Sequence, residues 1–311
     1  MHLPPPSLPV LGISLCLLFG ACEAPRAQKS ADPTAAATLA SAVASTPATN
    51  APPATPRASS IPLPEATASA VDALEHCGGA PSVGEGDSFR ATSTWAGYVA
   101  AEPPGSVSCV EASWLEPTVS CGHTSAAASF WVGIGAYDSV DLGIEDLGHP
   151  IQQAGTGVDC ENGQAEHYAW HQFQPRESTD HSFPIPAGGG DMVVEPGDRI
   201  WAQVRYTGTA FVMTVANVSR GDVRSIRQKA AGRHRSSAEW IVSGEAGEPM
   251  ARFSSVKFTG GLATLGGIVG PIGAATWNRI RIDEWAGDVR RLRVSRLSAE
   301  GDSFLVAWLH R

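Results

Sequence analysis

Two adjacent amide side chains, Gln152 and Gln153, lie within the stretch "HPIQQAGTGVDC" of residues 149–160. An amide on a half-buried strand must find hydrogen-bond partners or cost free energy. Successive residues of a strand point to opposite faces, so at most one of the two glutamines faces a given cleft. The pair therefore indicates a function for one of them, as an uncharged donor and acceptor.

Glu239, in the stretch "SSAEWIV", is a second residue whose setting suggests chemistry. On a strand, Ala238 and Trp240 face one way, while Glu239 and Ile241 face the other. In a cleft, this carboxyl group would lose water, which favours its protonated form. Such a group can act as general base and then as general acid. The alternative is an exposed glutamate on the solvent face of a sheet, which this local pattern alone favours.

Other catalytic and metal-binding motifs are absent from the sequence, which contains no G-x-S-x-G, HExxH or CxxC. His167 and His171, in "HYAWH", would share a strand face about 13 Å apart, too far for one metal ion. We expect surface or packing roles for both histidines, and we expect neither a cofactor nor a metal ion.

Tryptophan is the most informative aromatic residue, with nine in the chain. They are Trp95, Trp114, Trp131, Trp170, Trp201, Trp240, Trp277, Trp285 and Trp308. Several must pack a core, but a sheet face rich in tryptophan can also form a groove for an extended peptide or a sugar chain.

The elements that position these residues are short β-rich runs separated by Gly, Pro, Asn and Asp. "RIWAQVRY" is typical: Ile200, Ala202 and Val204 alternate with other residues, which predicts a strand with one buried face. More than about a dozen such runs, without a convincing amphipathic helix or a repeat, predict a large all-β sandwich or barrel.

The first 76 residues differ in composition from the rest. Residues 1–22 contain a short apolar run that predicts an export signal, and "FGAC" resembles a bacterial lipobox ending at Cys22. We therefore favour lipidation of Cys22 over an ordinary signal-peptidase site. Residues 23–76 are rich in Ala, Pro, Ser and Thr, which predicts a disordered linker or a pro-segment. Residues 77–311 form the predicted folded domain.

The folded part contains four cysteines, and an even number in an exported chain predicts two disulfides with three alternative pairings. By position we prefer Cys121 with Cys160, which leaves Cys77 with Cys109. The formal net charge of −9 gives no electrostatic support for nucleic-acid binding. A glycosylation sequon at Asn217 carries little weight beside a bacterial lipobox.

An ordered series of motifs resembles the glutamic peptidases, also called eqolisins (peptidase family G1 or A4). The series runs from about Trp95 to about Gly260. It comprises "STWAGYV", "EASWLEPTVSC", "ASFWVGIG", "IQQAGTGVDC", "YAWHQFQP", "EPGDRI", "SAEWIV" and "ARFSSVKFTG". The resemblance implies a large antiparallel β-sandwich of two packed sheets, similar to concanavalin or a jelly roll.

The resemblance also implies a function, that of an acid endopeptidase without a covalent intermediate. It places the catalytic pair on Gln153 and Glu239, and it places Trp131 in the cleft, to which we add Trp170 and Trp95 as substrate-binding residues. The implied partners are protein or peptide substrates, with membrane contact only through a lipid anchor. We expect a monomer, secreted or held in the cell envelope, of a bacterial type.

Two departures from the family pattern leave alternatives open. Ser243 replaces an acid that usually follows the catalytic glutamate by four residues, and Gln172 replaces another. The pH range, and activity itself, depend on what these changes do. The alternatives are a non-catalytic module that binds glycans or peptides, and a degenerate relative that has lost hydrolysis.

Overall fold

The structure is a computed structural model that describes residues 74–78, 82–84, 86–137, 151–173, 191–229, 234–244 and 249–309. The predicted signal of residues 1–22, with Cys22, lies outside the described residues, as does the predicted linker up to residue 73. Within the described part, no helix is long and apolar enough to cross a membrane.

The described residues form seventeen strands. They are β1 (Ser88–Thr92), β2 (Trp95–Ala101), β3 (Val107–Leu115), β4 (Val119–Ser120), β5 (Ala126–Ile134), β6 (Gln152–Glu161), β7 (Gln164–Phe173), β8 (Arg199–Tyr206), β9 (Ala210–Asn217), β10 (Asp222–Lys229), β11 (Ser237–Ser243), β12 (Arg252–Phe253), β13 (Val256–Leu265), β14 (Ile268–Pro271), β15 (Asn278–Ala286), β16 (Val289–Val294) and β17 (Phe304–Trp308).

The strands form two layers. One layer has the order β7-β6-β5-β11-β2-β15, with β1 added in parallel to β15, and the other has the order β10-β9-β8-β3-β13. Strands β16 and β17 connect β15 to β13, so that the layers are continuous at one side. The prediction of a large antiparallel β-sandwich is confirmed.

The main core fills the space between the layers. Trp240 of β11 is fully buried there, and its indole Nε1 donates to the backbone oxygen of Glu111 in β3 at 2.9 Å. Trp114 of β3 likewise donates to Thr156 of β6 at 3.2 Å. Buried indole N–H groups need such acceptors, and these two bonds tie the layers together in one register.

The outer face of the first layer carries a second apolar cluster, defined by nine residues. They are Trp95, Val99, Trp131, Ala136, Tyr137, Trp170, Ile241, Ile280 and Ile282. Strand β11 separates the two clusters: Trp240 points into the main core and Ile241 into the second cluster. This alternation is the one predicted from "SAEWIV", but the face opposite the core is covered rather than exposed.

The sequence prediction that β8 has only one buried face is wrong. Trp201 and Gln203, on its outer face, are 6% and 3% exposed, because residues 74–78 lie over them. The ring centroids of His76 and Trp201 lie 5.7 Å apart in an edge-to-face arrangement. Gln203 Nε2 donates to the backbone oxygen of Glu75 at 2.7 Å. Residues 74–76, which were assigned to the linker, therefore contact the sandwich.

The preferred disulfide pairing is confirmed. Cys77 is bonded to Cys109, which fastens the N-terminal segment to β3, and Cys121 is bonded to Cys160 at the end of β6. Among the described residues, one group has metal-ligand spacing, and it consists of Glu111 with two of these bonded cysteines. Disulfide sulfurs are not available as thiolate ligands, so this group is not a metal site.

The two histidines of "HYAWH" are packing residues rather than surface residues. His167 contacts Glu116 through Nδ1 at 2.8 Å, its side chain is 5% exposed, and His171 is 2% exposed. The sequon asparagine, Asn217, is also fully buried, and its amide donates to Val193 and Asp198. A buried amide held in this way has no room for a glycan.

Candidate active site

The register of the first layer brings the two predicted catalytic side chains onto one face. Glu239 of β11 pairs with Gly133 of β5, and Gly133 pairs with Gln153 of β6. Gln153 in turn pairs with Gln172 of β7. Residues directly opposite one another in a ladder share a face, so Glu239, Gln153 and Gln172 all project from the outer face of the layer.

A tight turn fixes part of this register. Strands β6 and β7 are joined by Asn162 and Gly163, whose φ angles of 52° and 81° lie in the left-handed region. Two-residue turns of this kind match the twist of a hairpin and strongly favour Asn-Gly. The turn therefore sets the pairing of Gln153 with Gln172, and a shift by one residue would turn Gln153 into the core.

Gly133 keeps open the space between Glu239 and Gln153. A Cβ atom on residue 133 would lie 2.8 Å from Glu239 Oε2 and 3.0 Å from Gln153 Cγ. The same atom would lie 2.8 Å from Cζ3 of Trp131. The carboxyl, the amide side chain and the indole therefore converge on one point, which only glycine leaves unfilled.

Glu239 is fully buried, and the two hydrogen bonds described for it both go to Oε1. Oε1 accepts the backbone N–H of Ala136 at 3.0 Å and also the hydroxyl of Ser237. The Ser237 oxygen accepts the backbone N–H of Tyr137 at 3.4 Å. Hydrogen bonds to one oxygen fix the orientation of the carboxyl group. The other oxygen, Oε2, is the one that faces the space over Gly133.

The two adjacent glutamines point in opposite directions, as their spacing predicted. Gln153 is 5% exposed on the outer face, while Gln152 pairs with Ile134 and is fully buried on the core side. Only Gln153 lies on the same face as Glu239. The assignment of these two residues as the catalytic pair stays a prediction, but the placement that it requires is present.

The three predicted substrate-binding tryptophans all belong to the second apolar cluster. Trp131 packs edge-to-face on Trp95, with ring centroids 5.0 Å apart. Trp170 lies two strands from Trp131, in a row with Gly155 between them. Gly133 and Gly155 place no side chain between these rings, and Trp95, Trp131 and Trp170 are 8%, 2% and 6% exposed. We call this strip of the outer face, with its three tryptophans, the aromatic trough.

The sequence profile of the peptidase A4 family matches residues 93–306. The chain belongs to this family. This match extends into β17. The motif series found in the sequence ended earlier, at about Gly260.

Two similar proteins agree with the assignment to this family. The chain is 32% identical over 195 residues to aspergillopepsin-2 of Aspergillus niger, and the alignment spans 58% of this chain and 59% of that protein. The fold of this chain is similar to that of scytalido-glutamic peptidase with a transition state analog inhibitor, with a TM-score of 0.55 and 22% sequence identity. The superposition covers 70% of this chain and 98% of that chain.

The fold is also similar to that of SCP-B, an eqolisin in a complex with the tripeptide Ala-Ile-His. The TM-score is 0.52 at 20% identity, with coverage of 70% of this chain and 98% of that chain. At these identities the two solved structures show a shared fold, which agrees with the resemblance found in the sequence.

The two departures from the peptidase A4 pattern have different surroundings. Ser243 accepts the indole N–H of Trp131 at 3.0 Å, so a neutral hydroxyl satisfies the buried tryptophan here. Gln172 is half-buried and lies beside Gln153 in the ladder.

Sequence reasoning missed two residues of this site, Gly133 and Ser237. Ser237 is two residues before Glu239 on the same strand, and that spacing alone places both side chains on one face. Gly133 lies in "FWVGIG", but its role depends on which strands flank β5. A local sequence pattern does not contain that information.

Proposed function

We propose that this chain is an exported acid endopeptidase that splits peptide bonds with a water molecule activated by Glu239 and Gln153. The observation that carries the proposal is the convergence of these two side chains over Gly133 on the outer face of the first layer. A carboxyl group and an amide that face one small space are suited to binding a water molecule between them.

Glu239 acts first as general base and then as general acid. Its Oε2 removes a proton from the water as the water oxygen attacks the carbonyl carbon of the substrate. The proton on Glu239 then passes to the nitrogen of the leaving amine as the C–N bond breaks. Because Oε1 is held by Ala136 N–H and Ser237, Oε2 stays directed at the reacting atoms.

Gln153 supplies the group that does not titrate. Its carbonyl oxygen accepts from the water, and its NH₂ group donates to the oxyanion that develops on the attacked carbonyl. An amide keeps this donor at every pH, so hydrolysis can proceed in acid without a second carboxyl group. This is the physical reason why a glutamine suits the position.

The aromatic trough accounts for the expected substrates. Trp131, Trp170 and Trp95 cluster on the same face as the catalytic pair, and we infer that an extended peptide packs against the edge of this cluster. SCP-B, which shares the fold, was crystallised with a tripeptide. We infer protein or peptide substrates and no cofactor.

Export is part of the proposal. Two disulfides suit an oxidising compartment, and the apolar run of residues 1–22 suits a secretion signal. Lipidation of Cys22 would hold the enzyme in the cell envelope. Labelling cells with a fatty-acid analogue, with Cys22→Ala as the control, tests this part on its own.

Turnover of a denatured protein substrate across acidic pH tests the catalytic assignment. Glu239→Gln should reduce kcat by about 10²–10⁴-fold, as expected for a general acid–base residue. Gln153→Ala should cost about 10²–10³-fold, as for an oxyanion donor. Gln152→Ala is the adjacent variant on the other face, and its folded protein should retain turnover.

Two results would contradict the proposal. Full activity of either catalytic variant removes the assignment of that residue. Peptide binding by the wild type without cleavage at any pH would instead identify a degenerate relative, and retention on a polysaccharide without cleavage would identify a glycan-binding module.

A further inference from the structure

A cavity on the other side of the first layer has a charge opposite to that of the whole chain. It has a volume of about 570 Å³ and lies between residues 83–84 and 86–87, strand β15 and residues 296–298. Its described lining includes Arg279, Arg281 and Arg296, but only one acid, Asp87. In a chain with a formal charge of −9, this lining is locally positive.

The cavity is separate from the proposed catalytic trough. Arg281 pairs with Tyr98, whose side chain points into the main core, whereas Glu239 pairs with Val99 on the outer face. Adjacent residues of β2 thus face opposite sides of the layer. A ligand in the cavity would not touch Glu239 or Gln153.

One arginine, Arg279, forms part of the wall of the cavity and is already held by an ion pair and two backbone acceptors. Arg279 is 6% exposed and pairs with Asp87 through Nε, while its Nη2 donates to the backbone oxygens of Gly84 and Gly86 at 3.3 and 2.7 Å. The carboxylate of Asp87 also accepts the Tyr98 hydroxyl at 3.2 Å. Asp87, the one acid among the described lining residues, is therefore already engaged.

The other two arginines have no such partners. Among the described residues, neither Arg281 nor Arg296 forms an ion pair or a side-chain hydrogen bond, and Nε of Arg281 is buried without a partner. Arg281 lies over the ring of Phe89 at 5.6 Å, which orients the guanidinium without neutralising it. Arg296 is exposed to solvent and also lines the cavity.

Tyr98 does not supply the missing negative charge. Its burial, together with the nearby charge of Asp87, raises the pKa of Tyr98 well above the usual range of a phenol. The hydroxyl therefore stays protonated and donates to Asp87 and to the backbone oxygen of Ser295. Two guanidinium groups with uncommitted donors remain in a cavity large enough for a small ligand.

We propose that this cavity binds a compact oxyanion, a phosphate or a carboxylate group, between Arg281 and Arg296. Planar guanidinium groups donate pairs of parallel hydrogen bonds to such anions, and these are among the stronger polar contacts in proteins. Arg279 and Asp87 form the rigid wall against which the anion sits.

Thermal unfolding of the full chain tests the proposal, with inorganic phosphate and malonate as separate probes and sodium chloride at equal ionic strength as the reference. We expect one or both probes to raise the melting temperature above the chloride value, and the probe that does so identifies the source of the oxyanion. Arg281→Gln and Arg296→Gln should each weaken binding about 10-fold, because each removes charge-assisted hydrogen bonds.

Arg293→Gln is the matched control, since it removes the same charge from an exposed position of β16 outside the cavity. It should bind as the wild type does. If Arg281→Gln does not fold, Arg296→Gln alone decides, because its side chain is exposed. The proposal is overturned if neither probe exceeds the chloride effect, or if Arg296→Gln binds as tightly as Arg293→Gln.

Discussion

Glu239 and Gln153 lie two strands apart in one sheet, and a glycine, Gly133, is the residue that separates them. Both side chains come within 3.0 Å of the position that a Cβ on residue 133 would occupy. The sheet thus brings a titrating and a non-titrating group together by register alone, although 86 positions separate them in the numbering of the chain. Substitutions that remove single contacts of this arrangement, or of the fold that holds it, have distinct expected effects.

Gly133→Ala should inactivate the enzyme while the sandwich stays folded. The added methyl group would meet Glu239, Gln153 and Trp131, and the two catalytic side chains would have to move apart. Misplacement of reacting groups by about 1 Å can cost on the order of 10²-fold in rate. Turnover and melting temperature should be measured together. Gly122→Ala, where a Cβ would meet nothing within 4 Å, is the control, and equal activity of the two variants would contradict the account.

Ser237→Ala should lower kcat more than it raises KM. The hydroxyl of Ser237 orients Glu239 but is not expected to touch the substrate. Loss of a hydrogen bond to a charged group costs about 1.5–3 kcal/mol, or roughly 10-fold or more in rate where that group reacts. Because the hydroxyl holds the carboxyl group in place, the effect should be on kcat rather than on substrate binding.

Ser237→Thr is the control for that experiment, because it keeps the hydroxyl and should restore kcat. A purely structural role for Ser237 would lower the melting temperature of the alanine variant without a selective loss of kcat over KM. That outcome would count against its role as a positioning residue.

Ser243→Ala should weaken substrate binding through Trp131. The substitution leaves the buried indole N–H of Trp131 without its acceptor, at a cost of about 1–3 kcal/mol. Because Trp131 borders the trough beside the catalytic pair, we expect an increase in KM with a smaller change in kcat. Steady-state kinetics on a peptide substrate measures both, and Ser243→Thr should behave as the wild type. An unchanged KM would show that this hydrogen bond does not hold the trough.

Asp198→Asn should destabilise the fold more at neutral pH than in strong acid. Burial alone would raise the pKa of Asp198, but hydrogen bonds from Arg220, Asn217 and the Glu195 N–H lower it below the usual value of 3.8. A lowered folded-state pKa stabilises the protein above pH 3.8, and this contribution disappears as the pH falls through the folded-state value.

The size of this effect is modest because Arg220 is partly exposed, and solvent screening limits such an ion pair to about 1 kcal/mol or less. Urea unfolding at pH 6 and at pH 2 should show a larger difference in the free energy of unfolding between wild type and variant at pH 6. A difference of equal size at both values would mean that the charge of Asp198 is not its source.

Much of the fold was accessible from the sequence, for reasons that are local. The alternation in "SAEWIV" predicted that Trp240 and Glu239 face opposite ways, and the structure places them so. The spacing of Gln152 and Gln153 did the same for the amides. Strand β8 shows the limit of such reasoning, because its outer face is contacted by Glu75 and His76, which the composition had assigned to a linker.

The sequence by itself determined the β architecture, the family and the residue types that can carry proteolysis, because side-chain alternation and ordered motifs are properties of the chain. Only the tertiary structure decided that Gly133 lies between Glu239 and Gln153, that Ser237 holds one oxygen of the carboxyl, and that Ser243 satisfies Trp131. Those relationships depend on which strands become neighbours and in what register. That pairing follows from the packing of the whole sandwich and cannot be read from any one segment.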